Sequence, residues 1–167
     1  MNFPVLGRRD VTELDPMDIK ILAVLQDNAR ISNQELADRV GLSPSPCWRR
    51  VRRLEEAGVI SRYAAILSPE AVGLQIMTYA HVMLNNHHTD TVQTFDAAIA
   101  NAPYVLECCS TSGEFDYMLR VVAPTMRAYE EFLSHTLMQI PAVRSVSTSF
   151  VLKQKKMTTV LPLPAGA

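Results

Sequence analysis

The sequence has no long apolar run, no cysteine framework and no excess of charge of one sign. No uninterrupted apolar run approaches the roughly 18 to 20 residues that a transmembrane helix requires. No apolar segment follows Arg8 and Arg9 as it would in a secretory signal. The three cysteines include no Cys-x-x-Cys pair, so neither a disulfide framework nor a zinc site is predicted. These absences predict a cytoplasmic protein without a membrane partner.

Charge is nearly balanced, with 16 basic and 17 acidic residues in a chain of 167. This balance excludes a histone-like coat of positive charge. Hydrophobic residues make up 48% of the chain, which is too many for a disordered protein and enough to suggest a buried interface between subunits. We therefore expect one ordinary domain or two small ones, assembled at least as a homodimer.

Three helices are predicted near the N-terminus, over residues 16–28, 32–40 and 44–57. The second has the Ser32-x-x-Glu35 spacing of a capping box and ends at Gly41, the residue type expected after a helix. A short turn then leads to the third helix, which begins at Ser43-Pro44. Two consecutive helices joined by such a turn are typical of a helix-turn-helix.

The third helix has one apolar face and one basic face. Helical spacing places Cys47 on the core side and Arg49 and Arg52 on the opposite side. A helix of this kind fits the major groove of DNA, where arginine side chains bond guanine or phosphate. The alternatives are that the arginines are merely solvated and that the Trp48 ring packs on the first helix. The predicted DNA-binding residues are Ser43, Ser45, Trp48, Arg49, Arg50, Arg52 and Arg53.

The second half alternates strand and helix patterns in the order βαββαβ. Strands are predicted over 75–85, 104–112, 115–122 and 143–153, and helices over 89–101 and 125–139. Only Gly113 and Glu114 separate the second and third strands, which predicts a tight hairpin. The order is that of a ferredoxin-like sandwich, so the expected fold class is α+β.

The predicted organisation has five segments. They are a flexible N-terminus (1–13), a winged-helix-like helix-turn-helix domain (14–60), a linker (61–74), a ferredoxin-like domain (75–157) and a C-terminal tail (158–167). We expect the tail, which carries Pro162, Pro164 and Gly166, to extend away or to wrap a neighbouring subunit.

No catalytic set is apparent in the sequence. The four histidines lack a serine or cysteine partner at an interpretable spacing, and adjacent histidines such as His87-His88 seldom bind one metal together. There is also no glycine-rich phosphate loop. We therefore expect no enzymatic activity, no metal and no cofactor.

Several motifs resemble those of one family. They are the segments 31–37, 40–47, 49–55 and 58–60, then Glu107-Cys108, the segment 112–117 and Pro141. Over residues 14–157 the chain resembles the Lrp/AsnC family of prokaryotic transcriptional regulators. The resemblance implies that the ferredoxin-like domain binds an amino-acid effector and mediates oligomerisation, with homodimers assembling further, often to octamers.

The segment 112–117 has two interpretations. As structure, Gly113 supplies a turn conformation with positive φ, and Asp116 is a solvated charge. As a binding site, a carboxylate accepts from an effector ammonium, and backbone N–H groups bind its carboxylate. The resemblance implies an effector site between dimers near this segment and the final strand, which gives the predicted effector residues Gly113, Asp116, Met126, Phe150 and Val151.

The sequence thus predicts a sequence-specific regulator that binds double-stranded DNA and responds to a small amino-acid-like effector. One alternative is an architectural DNA-binding protein that needs no effector. Another is a metabolic enzyme that uses the ferredoxin-like half, which the helix-turn-helix and the missing catalytic set both oppose.

Overall fold

The computed structural model describes residues 13–164, which divide into two compact units. The helical unit consists of residues 13–65 and 156–164, and the sheet unit is Ile66–Lys155. Each unit has a hydrophobic core of its own. The predicted flexible N-terminus, except for Glu13, and residues 165–167 of the predicted tail lie outside the described residues.

Helices α1 (Pro16–Asp27), α2 (Asn33–Val40) and α3 (Pro44–Glu56) form the framework of the helical unit. The Ser32–Glu35 capping box begins α2, and Gly41 ends it with a left-handed φ of 74°. Apolar side chains from all three helices form the core, namely Ile21, Leu22, Leu36, Ala37, Val40, Cys47 and Leu54. The predicted helix-turn-helix and the buried position of Cys47 are confirmed.

The sheet unit has the element order β1 (Ile76–Leu84), α4 (Thr89–Ala100), β2 (Val105–Ser110), β3 (Tyr117–Ala123), α5 (Met126–His135) and β4 (Val143–Phe150). Its strands form one antiparallel sheet in the order β2-β3-β1-β4. Phe95 of α4 and Phe132 of α5 belong to the same core as Val82 and Leu119 of the sheet, so both helices cover one face. This arrangement confirms the predicted ferredoxin-like domain and the α+β class.

The other face of the sheet is open within its unit. Because side chains alternate along a strand, the residues between buried Thr78, Ala80, Val82 and Leu84 point away from the helices. They are Met77, Tyr79, His81 and Met83, and each is partly exposed. A mostly apolar open sheet face of this kind is typical of a surface that packs against another protein.

The predicted two-residue hairpin between β2 and β3 is wrong. The strands end their pairing at Ser110 and Tyr117, so residues 111–116 form a longer loop. This loop is closed by Thr111, whose backbone N–H donates to the carbonyl of Asp116 at 2.9 Å and whose hydroxyl donates to the carbonyl of Phe115 at 2.6 Å. The backbone bond of Thr111 continues the register of Ser110 and Tyr117 by one pair, and its side-chain bond shapes the loop beyond that pair.

Both chain segments that join the two units lack helix and strand at the crossing. Residues 61–68 contain neither helix nor strand and are mostly exposed, and a 3-10 turn at Glu70–Val72 precedes β1. After β4, which ends at Phe150 instead of the predicted Lys153, the chain returns to the helical unit at Lys156. The described part of the tail therefore belongs to the helical unit, so the expectation that it extends away is wrong, whereas the alternative that it wraps a neighbouring subunit stays a prediction.

Candidate DNA interface and effector site

The turn before α3 is held by bonds that the local sequence provides. Leu42 N–H donates to the carbonyl of Ala37 at 2.9 Å, which continues the left-handed end of α2. The Asn33 side-chain amide donates to the carbonyl of Pro44 at 3.0 Å and so links the first turn of α2 to the first turn of α3. These two bonds fix the start of α3 relative to α2, the helix pair that a helix-turn-helix presents to DNA.

The four arginines of α3 divide into two pairs. Arg50 Nη1 lies 2.5 Å from Asp15 Oδ2 and 2.9 Å from Asp18 Oδ1, and Arg53 also donates to the Asp18 carboxylate. Asp18 is completely buried, so these arginines neutralise a charge inside the helical unit. Hydrogen bonding from Arg50 also holds the pKa of Asp15 below its usual range. Arg50 and Arg53 therefore join α3 to α1, and their predicted contact with DNA stays a prediction.

Arg49 and Arg52 form the exposed pair. Arg49 makes no ion pair or side-chain hydrogen bond with any residue that the structure describes. Arg52 pairs with Glu56 at 3.0 Å, but both side chains are well exposed, and such an i,i+4 pair costs little to break. Both arginines therefore have donors available to an anion outside the chain.

Trp48 lies beside this exposed pair. Its side chain is half exposed and is not part of the helical unit's core, and the guanidinium carbon of Arg52 lies 5.3 Å from its ring centroid. A cation–π contact of this kind orients the arginine side chain. Ser43 and Ser45 are also exposed, and the Ser43 side chain makes no capping bond to α3. The exposed face of α3 thus combines two cations, an aromatic ring and two hydroxyl groups.

The role of Asp18 was not predicted from the sequence. An acid in the first turn of a helix is favoured there by the helix dipole alone, whereas the structure buries Asp18 against two arginines of α3. One signal was present, because Asp18 occupies a place in the apolar stripe formed by Leu14, Ile21 and Leu25. An acid within such a stripe requires a buried cationic partner.

Asp116, the predicted partner of an effector ammonium, is already bonded within the sheet unit. Its Oδ2 accepts the backbone N–H of Leu84 at 2.7 Å, and its Oδ1 lies 3.4 Å from His87 Nε2. Leu84 is the last residue of β1, where the register with β4 shifts. The carboxylate therefore completes the end of β1, and only part of it remains exposed to a ligand.

The five predicted effector residues lie at two ends of the sheet. Gly113 belongs to the same loop as Asp116, next to the end of β1 at Leu84. At the other end of β1, Val151 N–H donates to the carbonyl of Met77 at 2.9 Å. Leu84 and Met77 are seven residues apart, which at about 3.3 Å per residue separates the two ends by roughly 23 Å. One copy of the chain therefore does not bring all five residues together.

The apolar members of the set lie at the Met77 end. Phe150 ends β4 opposite Thr78 of β1, and its ring meets the ring of Tyr129 edge to face with centroids 5.4 Å apart. Met126 begins α5, and two residues separate it from the end of β3. Its side chain is half exposed. This end of the sheet thus offers an apolar surface, whereas the Asp116 end offers a carboxylate.

Neither a metal cluster nor a membrane span occurs within residues 13–164. No group of three or more His, Cys, Asp or Glu side chains is placed to hold a metal ion there. No helix in that part of the chain is long and apolar enough to cross a bilayer.

Two family models match the chain. The model described as Winged helix-turn-helix DNA-binding matches residues 14–61, and the model described as Lrp/AsnC ligand binding domain matches residues 77–161. Among curated relatives, the leucine-responsive regulatory protein of Salmonella typhimurium is 40% identical over 154 residues, which cover 92% of this chain and 94% of that protein.

Solved structures show the same likeness. A transcriptional regulator of Neisseria meningitidis, solved as a complex with L-Met, is 45% identical with a TM-score of 0.86, covering 90% of this chain and 97% of its own. An AsnC family transcriptional regulator from Agrobacterium tumefaciens is 38% identical with a TM-score of 0.84, covering 89% and 97%. Both likenesses extend over the two units.

Proposed function

Because this chain belongs to the Lrp/AsnC family, it is a DNA-binding transcription regulator with an amino-acid ligand-binding domain, and we propose that it binds a specific DNA sequence through Arg49 and Arg52 under the control of an apolar amino acid. The observation that carries the proposal is the division of the α3 arginines into a pair that bonds the buried Asp18 and a pair that does not. Family membership also favours a regulator over an enzyme. A protein that binds DNA in a prokaryotic cell works in the cytoplasm, which is therefore the proposed location.

The exposed pair suits direct recognition of bases. Arg49 and Arg52 are separated by nearly one helical turn and have few competing partners, so both guanidinium groups are available to a major groove. Ser45 near the start of α3 is available for a phosphate or a base edge. In this proposal Arg50 and Arg53 contribute indirectly, because their bonds to Asp18 fix the orientation of α3 relative to α1.

Regulation requires an effector site, and the separation of the predicted residues indicates how it is built. Asp116 lies at one end of β1, and Phe150 and Met126 lie at the other. We infer that the carboxylate of one subunit and the apolar surface of another combine in the assembled protein. The Neisseria meningitidis relative was solved with L-Met, and an apolar side chain of that kind suits Phe150 and Met126.

Such a site requires an assembly, and the open sheet face supplies an interface. We propose that Met77, Tyr79, His81 and Met83 pack against a second copy of the chain to give a homodimer. Dimers joined further would then bring the two kinds of effector residue together. Two recognition helices related by a two-fold axis imply inverted half-sites about one helical turn of DNA apart or a multiple of it.

The proposal is tested in one set of measurements. A DNA duplex is selected from a random library by capture on the protein, and its binding is followed by fluorescence anisotropy with each of the twenty amino acids in turn. We expect L-Met or another apolar amino acid to change the affinity by about 5- to 150-fold, and light scattering to report at least a dimer at micromolar concentration.

Three results would contradict parts of the proposal. If the selected duplexes share no sequence, the protein does not recognise a specific sequence, and an architectural role is favoured. If a specific duplex is found but no amino acid changes its affinity, effector control is contradicted. A monomer in light scattering would contradict both the dimer and the shared effector site.

A further inference from the structure

The segment after β4 leaves the sheet unit and packs in the helical unit. Residues 156–164 belong to the helical unit, although the strand that precedes them belongs to the sheet unit. Within residues 13–164 the chain therefore passes between the two units twice, once between Ala65 and Ile66 and again between Lys155 and Lys156. The helical unit, which contains α3, is thus joined to the sheet unit by two connections.

The returning segment is held on α1 by a pair of hydrogen bonds. Leu161 N–H donates to Gln26 Oε1 at 2.6 Å, and Gln26 Nε2 donates to the carbonyl of Leu161 at 3.1 Å. The two bonds join one side-chain amide to one peptide group, much as two strands pair in a sheet. This geometry selects a particular backbone position of the segment and is insensitive to the Leu161 side chain, which is well exposed.

An apolar contact adds to these bonds. Leu163 packs against the core formed by α1, α2 and α3, whereas the side chain of Val160 is half exposed. The hydroxyl of Thr158 accepts the N–H of Val160 at 3.1 Å and shapes the approach to α1. A weakly ordered terminus is not expected to place one leucine in a core and one peptide group on a glutamine.

The first connection between the units is bonded to α3 at Tyr63, whose hydroxyl donates to Glu55 Oε1 at 2.9 Å. Residues 61–68, like residues 153–160 of the second connection, have neither helix nor strand, and a segment without regular structure permits many orientations of the units that it joins. A ligand changes DNA affinity only if it favours one of two states of the protein that differ in that affinity. A second connection, docked on α1, removes orientations that the first connection allows.

We propose that residues 156–163, here named the clasp, couple the sheet unit to the helical unit by docking on Gln26 and by packing Leu163 against the core of the helical unit. A displacement of the end of β4 then moves α1, and through Asp18, Arg50 and Arg53 it moves α3. The inference rests on the proposed effector control, since it names the part of the chain that transmits that control to the DNA-binding helix.

The test uses the full chain with two clasp variants and two matched controls. Leu163→Asp removes the apolar contact, and Val160→Asp adds the same charge to an exposed position of the clasp. Gln26→Ala removes both hydrogen bonds, and Gln34→Ala removes a glutamine that donates to Asp38 within its own helix α2. The first readout is amide hydrogen exchange of the peptides that contain Leu161 and α1.

We expect Leu163→Asp and Gln26→Ala to speed exchange of the Leu161 amide by at least about fivefold, because its acceptor or its docked position is lost. The controls should exchange like the unmodified protein. The second readout is the affinity for the selected duplex with and without the amino acid identified above, using L-Met first as the probe. Without the amino acid, both clasp variants should bind DNA within about threefold of the unmodified protein. The change in DNA affinity that the amino acid causes should fall below about twofold in these variants.

The outcomes separate the clasp from the proposed effector control. Unmodified protein that responds to no amino acid overturns effector control, and the coupling with it. A normal response in the unmodified protein that both clasp variants retain overturns the clasp alone. Clasp variants that dissociate the assembly in light scattering without altering exchange at α1 would show that the tail acts between subunits, which also overturns it.

Discussion

Asp18 and Arg50 are 32 residues apart in the sequence and are joined by a 2.9 Å bond between Arg50 Nη1 and Asp18 Oδ1. Asp18 has no exposed surface, and it accepts further bonds from Arg53 and from the backbone N–H of Asp15. One buried carboxylate thus fixes α3 relative to α1. In the proposed function, the exposed cations of α3 take their direction from that arrangement, so recognition of DNA depends on a residue that does not contact it.

Asp18→Asn should destabilise the helical unit. The amide keeps one acceptor but loses the charge that faces two arginines, and hydrogen bonds to charged groups contribute about 1.5–3 kcal/mol each. Because both arginines are partly exposed and regain water, we expect the free energy of unfolding to fall by only about 1–3 kcal/mol at pH 7. Urea denaturation measures it. Asp27→Asn, an exposed acid at the end of the same helix, should be neutral, and equal losses in the two variants would refute the role of Asp18.

The pH dependence of stability tests Asp15. Hydrogen bonding from Arg50, followed by the backbone bond of Asp18 N–H, lowers the pKa of Asp15 in the folded protein, so protons bind the unfolded chain more tightly. The stabilisation is then complete above the unfolded pKa of about 4 and is lost as the pH falls through the lower folded value. Asp15→Asn should flatten the denaturation profile below about pH 4. A profile that stays as steep as that of the unmodified protein would exclude this linkage.

Local signals in the sequence account for the features that it predicted well. The start of α2 depends on Ser32 and Glu35, three residues apart, and its end depends on Gly41 alone. The ferredoxin-like class followed from the βαββαβ order of strand and helix patterns, and alternation along each strand indicated which of its faces is buried. The division of the α3 arginines into two that bond Asp18 and two that do not was not predictable in this way, because helical spacing does not show which cations face an acid on another helix.

Bonds that the sequence pattern does not show explain where the predictions failed. The loop between β2 and β3 is longer than predicted because the strand pairing ends at Ser110 and Tyr117 and the Thr111 hydroxyl bonds the carbonyl of Phe115 within the loop. The return of the tail depends on Leu161 and Gln26, which are 135 residues apart. Nothing in the composition of the tail, rich in proline and small residues, indicates that partner.

Asp116 can be tested as a ligand-binding and as a structural residue with two substitutions. Asp116→Asn keeps an oxygen for the Leu84 N–H but removes the charge, so stability should change little, whereas the response to the effector should weaken at least about fivefold if the carboxylate binds an ammonium. Asp116→Ala leaves the Leu84 N–H without this acceptor and should cost about 1–2 kcal/mol in thermal or urea denaturation. A normal effector response in Asp116→Asn would place the ligand elsewhere and leave Asp116 a structural residue.

Arg49→Ala tests recognition of bases by the exposed pair. Arg49 has no partner among the described residues, so its removal should leave the unfolding free energy unchanged while weakening binding to the selected duplex by about 1–3 kcal/mol. Arg127→Ala, an exposed arginine of α5 with an i,i+4 partner in Glu131, is the matched control and should bind normally.

Anisotropy titrations on the selected duplex and on random DNA at several salt concentrations separate a base contact of Arg49 from a phosphate contact. A base contact lowers affinity for the selected duplex more than for random DNA, whereas a phosphate contact lowers both equally and reduces the salt dependence by about one ion. Equal losses on the two duplexes would therefore assign Arg49 to the DNA backbone and leave base recognition to Arg52 and its neighbours.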